Sequence, residues 1–180
     1  MTWRLFAVCG VIFLAAEVAC GVGFGEKQFN YQSPDWGFTI SYPSSVGGHP
    51  VFVNEQKREP MFGLEYMILL SDARAANPQQ YDPNESFRML ALREAVTDRS
   101  LQEWAVSNWN SLGVELNSAM MGNCPELTSG EVDIGDPGRK SAGIWISQDL
   151  VYYAFIAYYK PSVQQTVQGM LSSISITGCN

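Results

Sequence analysis

The chain has 180 residues and a mass of 19.9 kDa, with 46% hydrophobic, 12% aromatic and 16% charged residues and a formal net charge of -7. Such a length and apolar content suit one well-buried domain and exclude a disordered tail, because there is ample apolar surface to offset the entropy of ordering. The acidic balance, with only 11 scattered Lys and Arg, excludes a phosphate-tracking nucleic-acid surface, which needs clustered cations.

Residues 1–20 read as a signal peptide. Arg4 supplies the positive start, Leu5 to Ala16 form a 12-residue apolar run, and small residues follow around Ala19 and Gly21. A membrane anchor would need ~20 apolar residues, and Glu17 interrupts this run too early. A lipoprotein would acylate Cys20 but usually has Leu three residues before it, where Glu17 stands, so a lipid anchor is not favoured. The expected destination is periplasmic or extracellular. Loss of the leader discards Cys9 and Cys20, which leaves Cys124 and Cys179 as an isolated pair in a compartment that permits disulfides. They are predicted to be bonded. With one histidine and no C-x-x-C motif, no zinc site and no cofactor are expected.

The polar, turn-rich stretch that follows the leader reads as a linker over 21–34 or a loosely attached edge, and 35–180 as a single domain. In "GFTISYP", Phe38, Ile40 and Tyr42 alternate with small or polar residues and Pro43 ends the run, the period-two pattern of a half-buried strand. "HPVFVNE" predicts a shorter strand. "FGLEYMILLS" predicts the clearest one, with Phe62, Leu64, Tyr66, Ile68 and Leu70 on one face and the opposite face apolar only toward its end. A long loop from Ser71 to Ser86 follows. "FRMLALREAV" (87–96) fits either element: its propensity and start signals favour helix, whereas the alternation of Phe87, Met89 and Ala91 favours strand.

"SLQEWAVSNWNSLG" predicts a helix opened by a Ser100–Glu103 capping box and closed at Gly113, with Leu101, Trp104, Ala105, Trp109 and Leu112 on one core-facing stripe. Strands resume from Val114. "DPGR" (Asp136 to Arg139) predicts a type II turn, and "SAGIWIS" and "LVYYAFIAYY" flank Gln148 and Asp149 as a hairpin. The second of these is apolar on both faces, with Val151, Tyr153 and Phe155 opposite Leu150, Ala154 and Ile156, as in a central strand covered on both sides. Pro161 starts a last helix with Val163, Val167, Met170, Leu171 and Ile174 on one stripe, and "SISIT" closes beside Cys179. Strands with two amphipathic helices predict an α+β domain, an antiparallel sheet layered with helices.

Three of these stretches carry a resemblance. "GFTISYP" resembles the opening of PsbP-like domains, "SLQEWA" resembles the start of their first long helix, and "YYAFIAYY" with the final helix fits their C-terminal half. The resemblance spans about residues 31 to 177. It implies an α/β/α sandwich shared by photosystem II extrinsic proteins and many exported bacterial proteins, a strand at 87–96, and a binding role without catalysis. The Ser71–Ser86 loop departs from the pattern.

Of the residues that could carry chemistry, His49 is the only histidine, so a hydrolase mechanism would have to pass through it, with Ser44 or Ser45 as nearby hydroxyls. It stands between Gly48 and Pro50 and has no nucleophile-elbow motif near it, which reads as a loop residue. The acidic run Glu131 to Asp136 lacks the ligand spacing of a calcium loop and reads as a solvated hairpin. Asn84 to Ser86 forms a glycosylation sequon, relevant only in a eukaryotic secretory route. Tyr152, Tyr153, Tyr158, Tyr159 and Trp145 could stack on a glycan, but a central strand usually spends its aromatics on the core. The expected function is therefore a non-enzymatic exported protein that binds another protein or an envelope component, with Lys57, Arg58, Arg74 and Tyr81 as the candidate interaction surface. A small-ligand or glycan binder using a cleft between sheet and helix is the alternative.

Overall fold

The computed structural model describes residues 27–57, 64–73, 82, 84–96, 98–109 and 115–179. In chain order the strands are β1 (Gln28–Ser33), β2 (Phe38–Pro43), β3 (Ser45–Val46), β4 (His49–Pro50), β5 (Phe52–Lys57), β6 (Glu65–Ser71) and β7 (Phe87–Ala95). Helix α1 (Leu101–Trp109) follows, then β8 (Leu116–Met121), β9 (Cys124–Ser129), β10 (Val132–Asp133), β11 (Lys140–Gln148) and β12 (Val151–Tyr159). A 3-10 turn over Pro161–Val163 leads into α2 (Gln164–Ser172), and β13 (Ser175–Ile176) closes the chain. The expected signal peptide over 1–20, with Cys9 and Cys20, lies outside the described residues.

Every described strand pairing is antiparallel. The main sheet runs β5-β6-β7-β12-β11-β9-β8, with β10 added beside β11; β1, β2 and β13 form a second sheet in the order β1-β2-β13. Strand β12 therefore sits at the middle of the main sheet. Its odd residues Tyr153, Phe155, Ala157 and Tyr159 enter one buried cluster with Phe38, Ile40, Val167, Met170 and Leu171. Its even residues Ala154 and Ile156 enter another with Trp145, Leu101, Trp104 and Ala105. Because successive side chains of a strand point to opposite faces, α1 and α2 cover opposite sides of the sheet. Helix α2 shares its side with the second sheet: the rings of Phe38 and Phe155 meet edge to face at 4.9 Å.

Residues 87–95 resolve the helix-or-strand alternative as strand. Each residue from Phe87 to Ala95 is opposite one on β12, and β6 pairs on the other side. Two neighbouring strands with apolar faces offer this segment a ladder and a core on one side of it, and that gain outweighs helix propensities worth under ~1 kcal/mol per residue. Residues 28–33, read as a linker or a loosely attached edge, form an edge strand against β2. Local geometry corrects three further expectations. "HPVFVNE" splits at Val51, because Pro50 closes a tight β3–β4 hairpin before β5 begins. Gln148 pairs with Val151, so the hairpin turn is Asp149–Leu150, with Asp149 at φ 54° and Leu150 63% exposed instead of on the strand face. The 136–139 turn closes with Arg139 N–H donating to Asp136 O at 2.9 Å, but Gly138 lacks the positive φ of a type II turn.

Helix α1 opens as its sequence predicts. Ser100 Oγ accepts from Glu103 N–H at 3.2 Å while Glu103 accepts from Ser100 N–H at 2.7 Å, the reciprocal capping box. These bonds from Ser100 hold the Glu103 carboxyl below its ordinary value. Trp104 is fully buried and meets Tyr152 edge to face at 5.6 Å. The Trp109 side chain, Leu112 and the expected stop at Gly113 lie outside the described residues. Helix α2 buries Val167, Met170 and Leu171, and the residues that flank it add Val163 and Ile174. Cys179 then meets Cys124 at the head of β9, with Cα atoms 5.2 Å apart and a disulfide between them.

Candidate functional site

Several residues singled out by sequence are committed elsewhere. His49 lies exposed on β4, opposite Val46. Among the described residues, no three His, Cys, Asp or Glu side chains could share a metal ion. The acidic run is spent on local bonds: Asp133 accepts from Gly135 N–H, Asp136 accepts from Gly138 N–H, and Glu131 pairs with Lys140. Trp145, Tyr153 and Tyr159 are core residues. Burial raises the hydroxyl pKa of Tyr153 and Tyr158, and burial together with the Glu131 charge pushes that of Tyr159 up to about 12. Of the candidate interaction surface, Arg58, Arg74 and Tyr81 and the side chain of Lys57 lie outside the described residues.

An open concavity among the described residues lies on the side of the main sheet that carries α2. A cleft of about 620 Å³ is walled by Ser162, Gln165, Thr166, Gly169, Met170 and Ser173 from the last helical segment, by Ser45 to Gly48 from the β3–β4 hairpin, and by Gln28, Ser41 and Pro43 from the second sheet. The helical wall follows from spacing: positions 162, 165, 166, 169, 170 and 173 recur at i, i+3, i+4, i+7, i+8 and i+11, one stripe beside the apolar stripe that faces the core. The hairpin wall depends on Gly47 and Gly48, with φ of 60° and 83°, a conformation that side chains other than glycine adopt at a cost. A Cβ on Gly47 would also meet Val163 at 3.3 Å, whereas one on Gly169 would meet nothing within 4 Å.

One end of the cleft is fixed by side-chain bonds. Ser173 Oγ accepts from Ser41 N–H at 3.0 Å, and Ser41 Oγ bonds Asn30 Oδ1 at 2.8 Å, so helix and sheet hold a set separation there. None of the lining residues is charged. The hydroxyls and amides can exchange neutral hydrogen bonds with a ligand, Pro43, Val46, Val163 and Met170 offer it apolar contact, and nothing in the lining compensates a buried ion. Sequence reasoning offered a ligand cleft between sheet and helix as the alternative but assigned none of these residues to it. The sequence holds two small polar runs, "SSVGG" and the polar stripe of "SVQQTVQG", but they become neighbours only through the fold.

A second polar cluster lies at the base of the Ser71–Ser86 excursion. Arg88 grips both carboxylate oxygens of Glu85, Ser71 donates its hydroxyl to the same carboxylate, and Asp72 accepts from Ser86 N–H at 2.8 Å. The two ends of the excursion are thus bound to each other by buried polar groups. Arg139 adds a bond to Asp82 O at 3.2 Å.

No family model matches the chain, and no curated protein matches it. Among solved structures it is similar to cyanobacterial PsbP (CyanoP) from Synechocystis, at 14% identity and a TM-score of 0.47, covering 87% of this chain and 95% of that one. It is also similar to LpqN of Mycobacterium tuberculosis, described as involved in cell envelope biogenesis, at 15% identity and a TM-score of 0.39, covering 84% and 91%. The first bears the family name that the sequence motifs resemble. No helix among the described residues is long and apolar enough to cross a membrane.

Proposed function

We propose that this chain is a non-enzymatic exported protein that binds an uncharged component of the cell envelope in the cleft between α2, the β3–β4 hairpin and β2. The carrying observation is the cleft itself: about 620 Å³ lined half by neutral hydroxyl and amide side chains and half by glycine and apolar residues, a volume within the ordinary range of ligand sites. Such a wall favours a ligand with many hydroxyl and amide groups and no net charge, such as an N-acetylated sugar chain. The Cys124–Cys179 bond supports an oxidising compartment. Titration calorimetry with the neutral trisaccharide of N-acetylglucosamine tests the reading. Saturable binding that Gly169→Leu abolishes supports it, and no heat with the wild-type protein at millimolar sugar overturns it.

A second reading places a protein partner at the Ser71–Ser86 excursion. It is favoured by the buried clamp among Ser71, Glu85 and Arg88, which holds the base of that excursion in place. Photo-cross-linking from Tyr81 in intact envelopes separates the two readings, because only the second gives one stoichiometric protein adduct.

A further inference from the structure

Strand β8 is the border of the main sheet among the described residues, and its sequence "LNSAMM" holds no charge. Natural border strands usually carry charges, prolines or bulges that block pairing with another chain. This one has none of these in Leu116–Met121: its pairing with β9 runs unbroken from Leu116 opposite Ser129 to Met121 opposite Cys124. Asn117, Ser118, Ala119 and Met120 are all exposed, Met120 at 60%. We propose that β8 pairs antiparallel with β8 of a second copy, joining two main sheets into one about a two-fold axis at Ser118.

The register follows from the hairpin. Gly122 and Asn123 form a two-residue turn, with Gly122 at φ 57°, so Met121 and Cys124 close the ladder as a hydrogen-bonded pair. Alternation then makes 119–126 and 117–128 hydrogen-bonded pairs and turns the backbone groups of Leu116, Ser118 and Met120 outward. Pro125, opposite Met120, falls at a non-bonded position, which its missing N–H requires. A symmetric antiparallel pairing that uses the outward groups places Ser118 opposite Ser118 and Leu116 opposite Met120 of the second copy. Each exposed Met120 is thereby covered by a leucine whose own side chain already packs against the α1-side cluster. Glu115 falls opposite Met121, so no like charges face each other along the strand. The occupant is a second copy because an acidic chain of net charge -7 repels itself over most of its surface and least where charge is missing.

Sedimentation equilibrium of the exported chain tests this. The expected result is a reversible dimer whose association strengthens with salt, as screening of the net charge requires. Ser118→Lys puts two cations in opposition at the axis and should weaken association about tenfold or more. Ser118→Cys should oxidise to a covalent dimer, whereas the exposed Leu150→Cys should not. A wild-type chain that stays monomeric at millimolar concentration, or a dimer that Ser118→Lys leaves intact, overturns the proposal. Should the lysine variant fail to fold, the cysteine variant decides: covalent dimer supports the pairing, and its absence overturns it.

Discussion

Arg88 reaches back three residues to Glu85 and holds both of its carboxylate oxygens, Nε at 3.0 Å from Oε1 and Nη2 at 2.7 Å from Oε2, with both side chains buried. Arg88 belongs to β7 and Glu85 to the end of the excursion that precedes it, so the pair ties loop to sheet. A buried ion pair is weak evidence for net stabilisation, but breaking one leaves a desolvated charge behind. Arg88→Met alone should therefore cost about 3–5 kcal/mol in urea unfolding. Arg88→Met combined with Glu85→Leu should recover a large part of that loss. A double variant as unstable as the single one would show that the pair does not act as a unit.

The disulfide anchors the C-terminal tail to β9. The two cysteines are 55 residues apart, and for a closed loop of that length the chain-entropy model gives about 4 kcal/mol. Cys124→Ser with Cys179→Ser should lower unfolding free energy by up to about that amount. Thermal melts of the wild-type chain with and without reductant check it, and equal melting temperatures would remove the anchoring role.

Two carboxyl groups pull stability in opposite directions as pH changes. Glu126 is raised by burial, so its folded state favours the proton: its stabilising contribution is complete below the unfolded carboxyl range and is lost as pH rises through the folded value. Glu126→Gln should raise the melting temperature at pH 7 and lose that advantage in acid. Glu103 is lowered by its bonds from Ser100, so its contribution is present above the unfolded value and disappears as pH falls through the folded one. Glu103→Gln should cost stability at pH 7 and little in acid. The same sign for both variants across the titration would contradict the assignment.

Gly169 sits in α2 with nothing within 4 Å of where its Cβ would lie. Gly169→Ala should stabilise the protein by about 0.5–1 kcal/mol through helix propensity and backbone entropy. Gly169→Leu should keep a comparable gain while filling the cleft, so that melting temperature rises as ligand binding falls. A drop in both would mean that the wall of the cleft is not free there.

The fold and the site were legible to different degrees. The two-sided apolarity of residues 151–159 marked the middle of the sheet, because a strand with one wet face cannot carry Tyr153, Phe155, Ala154 and Ile156 together. The Ser100–Glu103 box and the 163–174 stripe marked both helices for equally local reasons. Residues 28–33 were only half legible: Gln, Asn and Ser left linker and loosely attached edge both open, and the strand forms because β2 offers an unpaired edge. The cleft was not legible. Its walls come from parts of the chain more than a hundred residues apart, and small polar side chains leave no periodic signal of their own beyond one helix stripe.

By itself the sequence determined which segments could bury a face, because alternation, helical stripes and capping are set by neighbours a few residues away. Tertiary structure alone decided that 87–95 is a strand, that a second sheet shares one side with α2, and that neutral side chains meet around an open space. Those outcomes depend on which surfaces remain unpaired once the sheet has formed, and pairing across long separations is decided by the whole chain and not by any window of it.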